Sequence, residues 1–282
     1  MRYKNLDQLF RQSAGRLSFS ACPFLEARLL IQEAAGWKEA DFFRNLDSVP
    51  PPGLANKLSV LIKKRQSGWP MAYILGRKEF WSLEFRVNRQ VLIPRPETEL
   101  VVEEVLSLPL PEKPRIVDVG TGCGNIAIAL ARELPRARVV ASDLSARALS
   151  LAARNAGNNR LRNVVFVRSD LLSYFIEKRQ KFEVIVSNPP YISEADWEKL
   201  ERPVRDFEPR TALLAGPTGL EIIQRLVSQS WFCLKAGGFL VFEFGAGQEK
   251  EIRKLFKPGW SKPRVRSDYS GLPRVMTVQK LA

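Results

Sequence analysis

A short polar segment, Asn188-Pro189-Pro190-Tyr191, follows an apolar run at 182–186 that predicts a buried strand. The two prolines end this strand, because proline has no backbone N–H donor and its φ is fixed. The Asn188 carbonyl and a backbone carbonyl of the proline pair could accept both hydrogen bonds of one planar –NH₂ group. The Tyr191 ring could bound the face of that group. We therefore predict that Asn188, Pro189, Pro190 and Tyr191 are the catalytic and substrate-binding residues.

A glycine loop at 120–124 lies between a predicted strand and a predicted helix, and Asp143 ends the next predicted strand. Alternating glycines allow a tight turn and let a ligand approach the backbone N–H groups. A carboxylate at the position of Asp143 can accept hydrogen bonds from both ribose hydroxyls of a bound nucleoside. The predicted cofactor-binding residues are Gly120, Thr121, Gly122, Cys123, Gly124 and Asp143.

The spacing of this loop distinguishes between nucleotide cofactors. Gly-x-Gly-x-Gly differs from the Gly-x-Gly-x-x-Gly of dinucleotide folds, and the chain has no Gly-Lys-Ser/Thr phosphate-binding loop. Asp118, just before the loop, would lie poorly against a pyrophosphate but suits a positively charged ammonium group. S-adenosylmethionine has an ammonium, a sulfonium and a ribose. We predict it as the cofactor, with S-adenosylhomocysteine as the product.

A methyl donor beside a pocket for a planar –NH₂ group predicts N-methyl transfer. Two acceptors in the plane of that group leave the out-of-plane face of its nitrogen toward the donor. They also stabilise the positive charge that develops on nitrogen as the new bond forms. Much of the rate would then come from positioning of the reacting atoms, without a strong base.

The composition narrows the possible chemistry. The chain has no histidine, which excludes histidine triads, histidine bases and histidine metal ligands. Its three cysteines, Cys22, Cys123 and Cys233, are far apart, which argues against a disulfide framework and against a structural zinc site. We predict no metal. We interpret Cys123 as a small loop residue, because no base is available to activate its thiol.

No segment resembles a secretory signal or a membrane span. The first residues are polar, and no apolar run approaches the roughly 18–20 residues that a span requires. We expect a soluble, cytoplasmic protein that does not contact membranes and acts as a monomer.

The formal net charge is +14, and the excess of basic residues is denser in the N-terminal part. A basic protein can approach nucleic acid, or a partner bound to nucleic acid, through long-range electrostatic attraction. A generally basic, soluble surface explains the same charge equally well. Direct nucleic-acid binding is therefore compatible with the charge but not required by it.

The N-terminal part predicts a small helical bundle followed by a hairpin. Apolar spacing predicts helices at 24–35 and 54–66, and Gly36 ends the first of them. Alternating residues predict a strand at 81–87, and the apolar run 73–75 predicts its hairpin partner. The predicted domains are a helical domain at 1–70, a hairpin linker at 71–96 and a catalytic domain at 97–282.

From residue 115 onward, predicted strands and helices alternate, which indicates a doubly wound, Rossmann-like α/β sheet with mostly parallel strands. A proline-rich joint precedes it and opens a helix near Glu97. The predicted strands are 115–119, 138–142, 164–167, 182–186, 238–244, 264–266 and 275–279, and the predicted helices are 125–133, 146–155 and 220–231. Ligands of such sheets bind outside the carboxyl ends of the strands, where the glycine loop, Asp143 and Asn188 would meet.

Six motifs occur in the order found in the HemK-type protein-glutamine methyltransferases, and the chain resembles that family over nearly its whole length. They are IPRPETE, DVGTGCGN, ASDLS, SNPPYI, FEPRTALLAGPTGL and FEFGAGQ. The resemblance implies a class I methyltransferase fold with an N-terminal helical domain. It also implies S-adenosylmethionine-dependent methylation of the glutamine in the Gly-Gly-Gln motif of class 1 peptide chain release factors, and hence a role in translation termination.

The resemblance also implies roles for single residues. Asp170, Leu171 and Asn188 would join the glycine loop and Asp143 in holding the cofactor. Asn188 would contact the target amide as well, and the following Pro-Pro-Tyr would complete the glutamine pocket. Some relatives carry Trp at the position of Leu171, so we expect no stacking role for the leucine. The N-terminal domain would recognise the release factor away from the methylated residue.

Two other functions are compatible with the sequence. Adenine and guanine amines are also planar, so the same four-residue segment could serve a nucleic-acid amino-methyltransferase, which the basic charge favours. The absence of an inserted base-recognition domain in the sequence argues against it. A non-catalytic basic RNA-binding or ribosome-binding module is an alternative of another class. The intact glycine loop with Asp143 argues against that module, and failure to bind S-adenosylmethionine would support it.

The sequence leaves the roles of several charged residues open. Glu208 and Arg210 could order the pocket or form a surface ion pair. Glu97 and Glu99 could line the cofactor cleft or stabilise a helix N-terminus through its dipole. We interpret Glu243, at the end of a predicted strand, as structural.

Overall fold

A computed structural model describes residues 3–281 of the chain. The chain divides into two compact units. The first contains the residues up to Gly76 together with Arg202–Phe207, and the second contains Arg77–Glu201 and the residues from Glu208 onward. Within residues 3–281, no helix is long and apolar enough to cross a membrane.

The N-terminal unit is a bundle of short helices around its own apolar core. Its helices are α1 (Leu6–Arg16), α2 (Pro23–Ala35), α3 (Glu39–Arg44), α4 (Leu54–Gln66) and α5 (Met71–Leu75). Leu30, Phe42 and Ile62 are buried in this core. Arg65 of α4 donates two hydrogen bonds to the Glu26 carboxylate of α2, at 2.8 and 2.9 Å, which fixes the two helices against each other. The helices predicted at 24–35 and 54–66 are confirmed.

The remaining elements follow in chain order. They are β1 (Arg77–Phe80), β2 (Leu83–Arg86), α6 (Glu99–Leu106), β3 (Arg115–Val119), α7 (Asn125–Glu133), β4 (Arg138–Asp143), α8 (Ala146–Asn158), β5 (Val164–Arg168), α9 (Ser173–Glu177), β6 (Phe182–Ser187), β7 (Ile192–Ser193), α10 (Glu194–Trp197), α11 (Arg202–Phe207), β8 (Leu214–Gly216), α12 (Glu221–Cys233), β9 (Leu234–Glu243), α13 (Glu249–Arg253), β10 (Arg264–Ser267) and β11 (Pro273–Gln279). Helix α11 belongs to the N-terminal unit. There Phe207 packs on Trp69, with ring centroids 5.3 Å apart.

The predicted hairpin is present, but its first strand was assigned to the wrong residues. Residues 73–75 lie in helix α5, which ends at Gly76 in a left-handed conformation, and β1 pairs with β2 in antiparallel register. Trp81 and Ser82 both have positive φ, as a two-residue turn of type I′ requires. An apolar run as short as 73–75 does not distinguish a strand from a buried helical turn.

The central sheet of the second unit confirms the predicted doubly wound fold. It has seven strands in the order β10-β11-β9-β6-β3-β4-β5. The pairs from β9 through β5 are parallel, and β11 and β10 pair antiparallel at one edge. Strands β3 and β6 are almost entirely buried, as expected for central strands with helices on both faces. Strand β9 starts earlier than predicted, because Leu234 pairs with Phe182 across a bulge.

Candidate active site

The site lies where the strand order of the sheet reverses. Strand β3 pairs with β4 on one side and with β6 on the other, and Val119 is opposite Ser187 in the β3–β6 register. Such a reversal opens a crevice at the carboxyl ends of the strands. Ser187 Oγ donates a hydrogen bond to the Val119 carbonyl at 2.7 Å and holds the two strand ends together. The glycine loop and Asn188 therefore start side by side.

The glycine loop after β3 has two kinds of glycine. A Cβ on Gly124 would lie 2.9 Å from Ile128 Cδ1 and 3.1 Å from Ala152 Cβ, so this position must be bare for the helices to pack. A Cβ on Gly120 or Gly122 would meet no atom within 4 Å. These two glycines line a cavity, and their bare backbone is open to a ligand.

Asp118 is buried beneath the loop and does not line the cavity, contrary to its expected contact with an ammonium group. Its Oδ2 accepts hydrogen bonds from Thr121 Oγ1 at 2.6 Å and from Ala127 N at 3.2 Å. Burial raises the pKa of Asp118 to about 7. Within the described residues, its Oδ1 has no hydrogen-bond partner. Asp118 thus connects the loop to the first turn of α7.

Asp143, at the end of β4, closes the other side of the loop. Its Oδ2 accepts a hydrogen bond from Gly122 N at 2.9 Å, and its Oδ1 accepts one from Ser145 N at 2.8 Å. Burial raises the pKa of Asp143, and the backbone hydrogen bonds from Ser145 and Gly122 oppose that rise. Each carboxylate oxygen has a further lone pair, and the side chain lines the cavity. The carboxylate can therefore also accept hydrogen bonds from ligand hydroxyls.

The crevice holds a cavity of about 340 Å³, a size typical of small-molecule sites. The predicted residues on its wall are Gly120, Thr121, Gly122, Cys123, Asp143, Asp170, Leu171, Asn188 and Pro190. Gly124, Pro189 and Tyr191 are not on this wall. Other parts of the wall were not predicted from the sequence, namely the segments around Leu92 and Thr211 and the helical residues Ile126, Ala148 and Ile222. The segments lie in or beside the motifs IPRPETE and FEPRTALLAGPTGL, whose residue types alone do not indicate a contact with a ligand, and the helical residues resemble ordinary core positions.

A second cavity, of about 30 Å³, adjoins the first. Both cavities are lined by Leu92, Arg95, Asn188, Pro190 and Ala212. Pro189, Tyr191, Ile192 and Leu213 complete the wall of the smaller one. The whole Asn-Pro-Pro-Tyr segment therefore lines a space with room for one small polar group, and Asn188 lies between the two cavities.

A buried chain of hydrogen bonds runs from Asn188 to Tyr191. Asn188 Nδ2 donates to Thr98 Oγ1 at 3.0 Å, and Thr98 Oγ1 donates to Glu243 Oε2 at 2.6 Å. The Tyr191 hydroxyl donates to Glu243 Oε1 at 3.2 Å. Burial raises the pKa of Glu243, and the hydrogen bonds from Thr98 and Tyr191 and the charge of Arg274 oppose that rise. Glu243, interpreted from the sequence as structural, thus directly contacts a predicted site residue.

Glu208 orders one wall shared by the two cavities. Its buried carboxylate accepts a hydrogen bond from Ile93 N at 3.1 Å and one from Arg95 Nη2 at 2.5 Å. The segment that contains Leu92 and Arg95 is therefore attached to the segment that follows Glu208. Of the two roles left open by the sequence, the structure places Glu208 in the ordering role.

The other charged residues in question lie away from the cavity wall. Glu99 accepts a hydrogen bond from Trp81 N at 2.7 Å, at the tip of the hairpin. Neither Glu97 nor Glu99 lines either cavity. The Arg210 guanidinium lies over the Trp197 ring, 5.3 Å from its centroid.

Asn155 of α8, which the sequence analysis did not single out, supports the glycine loop from outside. Its Nδ2 donates to the Cys123 carbonyl at 2.8 Å and to the Arg86 carbonyl at 3.0 Å. Its Oδ1 accepts from Arg86 N at 2.9 Å. One fully buried amide therefore joins the hairpin, the helix and the glycine loop. No local sequence pattern marks an asparagine on an otherwise apolar helix face as this kind of link.

Three further predicted residues complete the cavity. Asp170, after β5, is half-exposed and accepts a hydrogen bond from Arg225 at 2.7 Å. Leu171 has a positive φ of 49° and offers an apolar surface. Burial raises the pKa of Cys123 to about 12, so its thiol is neutral at ordinary pH, in agreement with a loop residue and not a nucleophile.

Comparison with known proteins gives two domain matches and close relatives. Residues 97–201 match the methyltransferase small domain, and residues 8–76 match the PrmC N-terminal domain. A release factor glutamine methyltransferase of Escherichia coli K12 is 38% identical over 267 residues, which cover 94% of this chain and 95% of that protein. One from Rhodopirellula baltica is 38% identical over 270 residues, covering 93% and 90%. One from Nitratidesulfovibrio vulgaris is 36% identical over 284 residues, covering 99% and 96%.

Solved structures share the fold at low identity. A methyltransferase from Pyrococcus furiosus superposes with a TM-score of 0.54 at 17% identity, covering 80% of this chain and 98% of that one. The hMettl16 catalytic domain, in complex with MAT2A 3'UTR hairpin 6, also has a TM-score of 0.54 at 17% identity, covering 80% and 81%. The fold is thus that of class I methyltransferases. With relatives 36–38% identical over 90% or more of both sequences, the chain belongs to the release factor glutamine methyltransferase family.

Proposed function

We propose that this chain transfers a methyl group from S-adenosylmethionine to the side-chain amide nitrogen of the glutamine in the Gly-Gly-Gln motif of class 1 peptide chain release factors. The observation that carries the proposal is the place of Asn188 between two cavities of different size. Its Nδ2 is bound to Thr98, which leaves its carbonyl oxygen for a donor in the small cavity. The names of the relatives indicate the same substrate.

The donors and acceptors of the large cavity fit S-adenosylmethionine. The bare backbone at Gly120 and Gly122 can approach a ligand closely, and the Asp143 carboxylate can accept hydrogen bonds from ribose hydroxyls. Leu171 contributes an apolar side chain to the cavity wall, without the aromatic ring that stacking on a base would need. When bound, this cofactor supplies an electrophilic methyl group. The residues that we assign to it are Gly120, Thr121, Gly122, Cys123, Gly124, Asp143, Asp170, Leu171 and Asn188.

The small cavity receives the glutamine carboxamide in this proposal. Asn188 Oδ1 and a backbone carbonyl at Pro189 accept its two N–H groups, while Pro190 and Tyr191 bound its faces. Both carbonyl dipoles point at the nitrogen that gains positive charge during the reaction, and they stabilise that charge. Burial raises the pKa of Tyr191, so its phenol stays neutral and acts as a wall and a hydrogen-bond donor.

The N-terminal unit is, in our proposal, the part that recognises the release factor. It matches a family model of its own and exposes aromatic side chains, among them Phe24 and Phe43. We assign residues 1–70 to recognition, 71–96 to a linker and 97–282 to catalysis. Because release factors act on translating ribosomes, we place the protein in the cytoplasm, where it works as a monomer that does not contact membranes.

The net charge of +14 is the observation that favours a nucleic-acid substrate as a second candidate. The relatives do not favour that reading, nor do they favour a non-catalytic RNA-binding module, since they are named as methyltransferases acting on release factors.

The test is methyl transfer from labelled S-adenosylmethionine. The acceptors are a class 1 release factor, the same factor with the Gln of its Gly-Gly-Gln motif changed to Ala, single-stranded and duplex DNA, and RNA. We expect label on the intact factor alone and its loss with Asn188→Ala. Label on nucleic acid with the factor untouched would transfer the function to the second candidate. Labelling of the Gln→Ala factor would exclude the assigned acceptor.

A further inference from the structure

We propose that Thr98 and Glu243 are positioning residues that fix which end of the Asn188 carboxamide faces the substrate. The inference rests on the proposed function for its effect on catalysis, but the orientation itself can be measured without any reaction. Thr98 lies in the IPRPETE motif and Glu243 in FEFGAGQ, and neither motif was assigned a role in the pocket.

The direction of the hydrogen bonds follows from their chemistry. An ionised Glu243 carboxylate only accepts hydrogen bonds, so the Thr98 hydroxyl then gives its single proton to Glu243 Oε2, at 2.6 Å. The charge of Arg274 and the hydrogen bonds from Thr98 and Tyr191 favour this ionised form against the effect of burial. Its lone pairs then remain for Asn188, and only the –NH₂ end of a carboxamide can donate to them. The observed 3.0 Å bond from Asn188 Nδ2 to Thr98 Oγ1 agrees with this direction. The Asn188 carbonyl oxygen is thereby turned away from Thr98.

An asparagine without this support has two nearly isosteric orientations. The reversed orientation would present –NH₂ to the target carboxamide, whose nitrogen carries only donors. The –NH₂ group of Asn188 would then face the –NH₂ group of the glutamine, and the backbone carbonyl at Pro189 would be the one acceptor left for it. Thr98 and Glu243, at 1% and 2% exposure, are shielded from water that could compete for these bonds.

Glu243 also accepts the hydrogen bond of Tyr191, through its other oxygen at 3.2 Å. One buried carboxylate therefore holds two walls of the small cavity, the amide of Asn188 and the ring of Tyr191. Thr98 and Glu243 are 145 residues apart in the chain and meet only in the fold. A role limited to stability would not require both bonds to end on residues of the pocket.

The first experiment compares Thr98→Val, which removes the hydroxyl at nearly constant shape, with Thr98→Ser, which keeps it. Ser230→Ala is a matched control, since Ser230 is a fully buried serine whose hydroxyl donates to the Leu226 carbonyl within its own helix, α12. We expect Thr98→Val to lower kcat on the release factor about 10- to 100-fold, comparable to or below the loss of one preorganised transition-state contact. The KM and the Kd for S-adenosylhomocysteine should stay within about twofold, and Thr98→Ser and Ser230→Ala should stay near the wild-type kcat.

The second readout does not depend on activity. In ¹⁵N-labelled protein, the side-chain –NH₂ signal of Asn188, assigned by its loss in Asn188→Asp, reports the bond to Thr98. We expect slow hydrogen exchange of this group in wild type and Thr98→Ser, and a shifted, faster-exchanging signal in Thr98→Val. Should Thr98→Val fail to fold, Glu243→Gln gives the same test. The glutamine has a single acceptor oxygen, whereas the carboxylate uses one oxygen for Thr98 and the other for Tyr191.

The outcomes separate the two proposals. An unchanged kcat and an unchanged Asn188 signal in Thr98→Val would overturn the positioning role, as would an equal loss of kcat in Thr98→Ser. If the wild-type protein labels no release factor, the proposed function fails, and the Asn188 signal alone then decides whether Thr98 and Glu243 orient the amide.

Discussion

Asp143 and Asn188 both lie at strand ends, but their surroundings predict different contributions. Asp143 is hydrogen-bonded to the glycine loop and lines the large cavity but not the small one, so we assign it to cofactor binding. Asn188 lines both cavities, and we assign it to the chemical step. Substitutions at these two positions should therefore separate binding from catalysis.

Asp143→Asn replaces one acceptor oxygen by a donor that faces either Gly122 N or Ser145 N. Hydrogen bonds to a charged group contribute about 1.5–3 kcal/mol each, so the Kd for S-adenosylhomocysteine should rise about 10- to 100-fold. Titration calorimetry measures this change. The exposed carboxylate of Asp196 in α10 supplies the control Asp196→Asn, which should bind as wild type. A Kd within twofold of wild type in Asp143→Asn would contradict the assignment.

The three cysteines differ in reactivity. Burial raises the pKa of Cys123 to about 12 and that of Cys233 to about 11, so both thiols are almost wholly protonated at pH 8. Cys22 is exposed. Iodoacetamide at pH 8 should therefore alkylate Cys22 alone in the native protein and all three cysteines in urea, as mass spectrometry of peptides will show. Rapid native alkylation of Cys123 would show that the loop opens or that its thiol is activated.

The location of candidate site segments made of consecutive residues could be predicted from the sequence, and both segments line cavities in the structure. The Asn-Pro-Pro-Tyr segment and the glycine loop each carry their donors, acceptors and turns within a few positions. Thr98 and Glu243 could not be predicted, because each looks ordinary within its own motif and only the fold brings them together. Asp118 was misplaced for a related reason: spacing locates a residue near a loop but does not tell which side of the loop it faces.

Among the structural elements, helix α8 supports the glycine loop and the hairpin through the side chain of Asn155. Asn155→Ala would leave the Cys123 carbonyl and both backbone groups of Arg86 without their partner. Unsatisfied buried polar groups cost about 1–3 kcal/mol each, so the loss of three partners should lower the free energy of unfolding by at least about 3 kcal/mol, with weaker cofactor binding. Urea unfolding and titration of S-adenosylhomocysteine measure both effects.

Asn158→Ala is the matched control, since Asn158 is an exposed asparagine on the same helix. It should change the free energy of unfolding by no more than about 0.5 kcal/mol. Equal effects of the two substitutions would mean that Asn155 has no special role as a link between hairpin and loop.

Element bounds followed the sequence wherever a period and its stop signals agreed. Predictions at 115–119 and 125–133 coincide with β3 and α7, because apolar runs there end at glycines and polar residues. The run 73–75 was too short to have a period. There the tertiary context decided, since Ile74 and Leu75 pack against the core of the N-terminal unit as a helical turn.

At the scale of the whole molecule, we assign recognition of the release factor to the N-terminal unit and methyl transfer to the other unit. Phe24 and Phe43 are 55% and 54% exposed, and we expect Phe24→Ser with Phe43→Ser to raise the KM for an intact release factor about tenfold, roughly 1.4 kcal/mol. Methylation of a short Gly-Gly-Gln peptide should be unaffected, because such a peptide reaches only the catalytic unit. Steady-state kinetics with both substrates measures the difference.

Phe232→Ser is the control, since Phe232 is 57% exposed on α12 of the catalytic unit. It should leave both substrates unaffected. An equal rise in KM for the factor with Phe232→Ser, or none with the double variant, would remove these two phenylalanines from the recognition surface.

The short helix at Arg202–Phe207 has a consequence for how such proteins can recombine. It belongs to the N-terminal unit although it lies within the chain of the other, and Phe207 packs on Trp69. A chimera made by one crossover near Gly76 would take Trp69 from one parent and the helix that carries Phe207 from the other parent. Exchange of the unit between relatives therefore takes a second graft at 202–207. The two segments should be inherited together as one module despite the 125 or so residues between them.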